Sequence, residues 1–141
     1  MTYKDIIQKV IDLLEADANL SEPDKIRKYY FGLPTRFDLY PFIYVQWNER
    51  KATGKANISQ LEYDLILEIG IADKAINEDD AEKSVYDKIE HIENVLNNNP
   101  SLDGLVSDVK LPRSIEIIRM TDRDYAVAFA RVLHSVRKWM Q

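Results

Sequence analysis

The chain has 141 residues, 45% hydrophobic and 30% charged, with a net charge of −5 and no cysteine. That length can bury a core as one domain over residues 1–141, while disulfides and thiolate metal sites are excluded. The acidic balance disfavours sequence-independent duplex binding, no apolar run approaches the ~20 residues of a membrane helix, and the Met1–Asp5 start lacks the apolar region of a signal peptide.

Residues 2–18 read as an amphipathic helix. Thr2 is a candidate N-cap, Tyr3, Ile7, Val10, Ile11 and Leu14 recur at helical spacing, and Pro23 closes the segment that stops it. From Lys25 the pattern turns extended, with a short strand predicted over Ile26–Phe31 and a better one over Phe42–Trp47, after Pro41. Eight of the fourteen aromatic residues fall between Tyr29 and Trp47. Phe42, Tyr44 and Tyr30 are assigned to the core, while Tyr40 and Trp47 are candidates for contact with a neighbour.

A polar hairpin loop is expected at about 48–58, carrying Arg50, Lys51 and Lys55. It leads to the clearest strand, where Leu61, Tyr63, Leu65, Leu67, Ile69 and Ile71 alternate with mostly polar residues. This period of two predicts one buried face and one in water, the latter carrying Glu62, Asp64 and Glu68. Asn77 is read as the cap of a second helix, with Glu78, Asp79 and Asp80 in its first turn and an apolar stripe from Ala81 to Leu96. Strands are expected over Val106–Lys110 running on to Ile115–Met120, and over Tyr125–Val136, the last two joined by the turn Thr121–Asp124. One sheet and two amphipathic helices make an α+β two-layer sandwich: a mainly antiparallel sheet of four to five strands with both helices on one face.

Signatures of catalysis are sparse. Four glycines form no phosphate-cradling loop. His91 with Asp87 at i−4 is read as a local ion pair rather than a metal site, and His134 has no acidic residue nearby in sequence to orient it. Asp64 and Glu68 share a strand face at roughly 13 Å, beyond the carboxylate separations of glycoside hydrolysis. No catalytic residue, cofactor or metal is expected.

Charge is segregated instead. Residues 61–103 carry three basic and twelve acidic side chains, and residues 104–141 carry seven and four. Such a division suits pairing with another protein or with a second copy, with Asp64 and Glu68 on the acidic side and Arg113, Arg119 and Arg123 on the basic side, unless the acidic segment is simply the solvated face of one helix.

The order of elements resembles the tail terminator or tail-completion proteins of tailed bacteriophages. The resemblance rests on the leading helix, the Pro-flanked strand Leu39–Val45, the polar excursion and the alternating strand Tyr63–Ile71. It continues through the helix opening Asp79-Asp80-Ala81-Glu82 and ending in Leu96–Gly104. It implies a non-enzymatic virion protein that forms a homo-oligomeric ring, commonly a hexamer, on the head-proximal end of the tail tube. Tail tube protein and a head-completion or neck protein are the implied partners, and the 48–58 loop is the implied projection toward one of them. The ring is expected to weaken with salt. Another neck component, or a small ligand-binding or enzymatic α+β domain using the aromatic segment as a pocket, are the alternatives.

Overall fold

The computed structural model describes residues 3–21, 26–37, 39–56, 61–102, 104–106 and 108–140, with the backbone alone at 21, 49–56, 61–64, 108, 110–113 and 137–140. Helix α1 (Tyr3–Glu15) buries Ile6, Ile7, Val10, Ile11 and Leu14 along one stripe. It ends earlier than the periodicity predicts, because Asp17 turns its carboxylate back to accept from the Asn19 N–H (2.8 Å) and starts the short helix α2 (Ala18–Ser21). Thr2 lies outside the described residues.

Five strands follow: β1 (Lys28–Phe31), β2 (Phe42–Ala56), β3 (Leu61–Ala75), β4 (Asp108–Asp122) and β5 (Tyr125–Met140). They form one sheet in the order β1-β2-β3-β5-β4. Only β1 and β2 are parallel; the remaining pairs are antiparallel. The long helix α3 (Glu78–Asn98) connects β3 to β4. Asn77 caps it as the sequence predicts, its Oδ1 accepting from the Asp80 N–H at 2.8 Å. Asn99 closes the other end, donating from Nδ2 to the Val95 carbonyl.

The sheet with helices on one face bears out the α+β expectation. Helix α1 packs over β1 and β2, and α3 over β3, β5 and β4. Between the layers lies the larger core, in which Ile43, Val45, Leu65, Leu67, Ile69 and Ile71 meet the helix stripes.

Two expectations are corrected. Residues 48–56 are not a loop: strand backbone continues through them, with a register shift between Trp47 and Glu49, so β2 and β3 make a much longer hairpin. The strand expected over Val106–Lys110 running on to Ile115–Met120 is found as the continuous β4, with irregularities on either side of Pro112, where the ladder loses a donor. Finally, the second face of the sheet is not given over to water. A second apolar cluster of Tyr40, Phe42, Tyr44, Ala72, Val127 and Phe129 covers it, with Tyr30, Phe37 and Met120 packed alongside. The segment between β1 and β2 folds back across this face, placing Phe37 parallel to Phe129 at 5.8 Å between ring centres and tilted on Phe42 at 4.9 Å. The aromatic-rich stretch is thus a lid.

Candidate functional site

The sheet positions the polar groups through its register. Tyr44 stands opposite Gly70. With no Cβ at residue 70 the Tyr44 ring lies flat across β3, parallel to Phe129, and its hydroxyl reaches Glu68 in a short hydrogen bond. Glu68 also accepts from Gln46 Nε2 (3.1 Å), Asn48 Nδ2 (3.0 Å) and Arg131 (2.9 Å). This explains why a carboxylate expected in solvent is only 2% exposed. Burial alone would raise its pKa, but hydrogen bonds from Arg131, Tyr44 and Asn48 and the guanidinium charge outweigh it, holding the carboxyl below its ordinary range. Desolvation first, and then the neighbouring carboxylate, push the Tyr44 phenol up. Glu68 is consumed inside the chain and is withdrawn as an interface residue.

Of the two aromatic candidates, Tyr40 is buried and Trp47 is half-buried, and both pack within the chain. Tyr40 belongs to the lid cluster, with the Lys74 ammonium 5.5 Å from its ring. Trp47 packs edge-on against Tyr3 at 6.0 Å and donates from Nε1 to the Tyr3 carbonyl (3.1 Å), pinning the start of α1 to β2.

Arg119 stays exposed, but its charge is taken up within the chain. It lies on β4 beside α3 and is bound by Glu82 (2.9 Å), Glu78 (3.0 Å) and Asp79 (3.4 Å), and its bonds to Glu82 and Glu78 raise its pKa further. The acidic first turn of α3 and Arg119 of β4 satisfy one another within a single chain. Arg123 sits exposed in the β4–β5 turn with φ +58° and borders an open cleft of about 700 Å³ with Ile76, Asp79 and Tyr125. The side chains of Arg50, Lys51, Lys55, Asp64 and Arg113 lie outside those described.

Sequence reasoning missed a further cluster. On α3, Ser84 and Lys88 are one turn apart and both turn toward Asp73 on β3. Lys88 Nζ donates to Ser84 Oγ (2.7 Å) and to Asp73 (3.2 Å), and Ser84 donates to Asp73. Lys88 is 9% exposed, at one wall of a cleft of about 550 Å³ that also touches Asp87 and His91. The i, i+4 spacing on a buried helix stripe was the available signal. Among the described residues no group of three metal-ligating side chains comes together.

The outer strands remain. Among the described residues, no strand pairs with the outer side of β1 or of β4. Phe31 on β1 and Leu33 just after it are 58% and 50% exposed, and Ile115 and Ile118 on β4 are 46% and 38% exposed. Edge strands usually carry proline, charge or bulges against association. Here the proline and irregularities are confined to 109–114, leaving a regular run from Ser114 to Asp122. Both lateral edges therefore combine open backbone with large apolar side chains. No protein-family model matches this chain, and no curated protein matches it.

Proposed function

We propose that the protein is a structural virion assembly protein of the tail terminator kind, which forms a ring at the head-proximal end of a phage tail tube, ends tube polymerisation and joins the tail to the head. The observation that carries the reading is the pair of sheet edges, each without a partner strand among the described residues and each exposing large apolar side chains, in a sheet that packs helices on one face and an aromatic cluster on the other. A unit with both edges open repeats laterally, and different edges meeting head-to-tail close into a ring when the rotation between copies completes a circle. The element order shared with tail terminators supplies the biological setting. The test is negative-stain microscopy of the purified protein alone and added to polymerising tail tube protein. Rings, or tubes halted at one uniform length, support the reading; tubes of unchanged length distribution and no rings defeat it.

A further inference from the structure

The two open edges differ in charge as well as in sequence. Around β1, residues 26–35 carry Arg27 and Lys28 and no acidic side chain, and both basic residues are exposed. Along the regular part of β4, Arg119 is already bound by three carboxylates of α3, so the charges left to face outward are Glu116 and Asp122. Glu116 reaches Arg131 only at 4.0 Å and keeps 59% of its side chain exposed. The β1 edge is thus apolar and basic, and the regular part of the β4 edge apolar and acidic.

The geometry points to direct edge-to-edge contact between copies of this chain: the β1 edge of one copy, with Arg27, Lys28, Phe31 and Leu33, seats against the β4 edge of the next, with Ile115, Glu116 and Ile118. This rests on the ring reading and specifies its contact. Strand directions allow it. Counting across the sheet, β1 and β4 run in opposite senses, so copies in equivalent orientation bring them together antiparallel. Faces also agree. Lys28 shares its sheet face with Tyr30, which packs on Phe42 of the lid core, and Glu116 and Ile118 share that same face through their partners Arg131 and Phe129. Unlike charges steer the encounter and disfavour β1–β1 and β4–β4 pairing, where like charges would meet.

The absence of cysteine makes the contact directly measurable. Phe31→Cys and Ile115→Cys proteins are mixed under assembly conditions and treated with a short bismaleimide. The expected product is a mixed Phe31–Ile115 dimer several-fold in excess of either same-residue dimer. In parallel, Arg27→Glu/Lys28→Glu and Glu116→Lys each abolish self-assembly of the full chain, while an equimolar mixture of the two variants, in which both alternating β1–β4 contacts join unlike charges, recovers assembly. Far-UV circular dichroism confirms that each variant is folded. Assembly that proceeds unchanged in both charge variants, or same-residue cross-links equal to the mixed one, overturns the edge assignment while leaving the ring reading standing. A parent protein that stays monomeric with and without tubes overturns both.

Discussion

Gly70→Ala tests how the second core is built. In an ordinary strand the change is neutral or favourable, since alanine has less chain entropy to lose by about 0.5–1 kcal/mol. Here a Cβ on residue 70 would stand 1.8 Å from Tyr44 Cε1, 2.2 Å from Cζ and 2.5 Å from Cδ1. Carbon atoms at rest need about 3.5–4.0 Å, so the ring must lift by roughly 1.5–2 Å. It cannot lift without pressing on Phe129, which lies parallel to it at 6.1 Å, and without withdrawing its hydroxyl from Glu68. Overpacking of this kind costs about 1–3 kcal/mol, and losing a hydrogen bond to a charged group about 1.5–3 kcal/mol. The expected loss is therefore about 3–5 kcal/mol, or a fall in melting temperature of roughly 10–20 °C for a chain of this size. Urea and thermal unfolding followed by circular dichroism measure it. A cycle with Tyr44→Leu isolates the contact: with the ring gone, Gly70→Ala should cost nothing. Unchanged or increased stability of Gly70→Ala in the parent chain refutes the packing account.

Two further substitutions probe the buried charges. Because the folded pKa of Glu68 is depressed from an ordinary 4.5, its contribution is complete above about pH 4.5 and is lost as the pH falls through the folded value. Glu68→Gln should be less stable at pH 7 and show a shallower decline below pH 4.5 in denaturant titrations; an unaltered acid slope would argue that other carboxylates carry acid unfolding. Lys88→Met keeps most of the side-chain volume but leaves Asp73 without its cation, at an expected cost of about 3 kcal/mol. Asp73→Asn added to it should recover part of that loss, and a cost under about 1 kcal/mol for the single change would show that the pair is solvated.

Local rules made much of the fold legible. The stripe of α1, the Asn77 cap and the alternation of β3 and β5 follow from periodicity and capping, which act over a few residues. What escaped was decided by contacts distant in sequence. The alternation around Glu68 reads as a wet face, yet Tyr44, Asn48 and Arg131 are brought to it by pairing across two strands, and the lid comes from a connection with no periodic pattern at all. Tyr40 and Trp47 flank turn and basic residues, a setting that in sequence reads as contact with a neighbour. Their rings instead close the two cores, one on each face. Charge segregation along the chain was visible, but helix α3 returns its acidic start to β4, so the segments that look complementary in sequence neutralise each other in the fold.

That neutralisation changes what salt should do. Arg119 with Glu78, Asp79 and Glu82 is an exposed intramolecular network, and screening it loosens the join between α3 and β4 without touching the contact between copies. Contact through the edges depends instead on Arg27, Lys28 and Glu116, with apolar burial of Phe31, Leu33, Ile115 and Ile118 beneath them. Apolar burial is not screened, so salt should slow association by weakening steering more than it weakens the closed assembly. Stopped-flow light scattering at low and high salt separates the two. An association rate that falls with salt while the dissociation rate holds is the signature of charge at the rim of an apolar contact. A dissociation rate rising as steeply as association falls would place the charges at its centre.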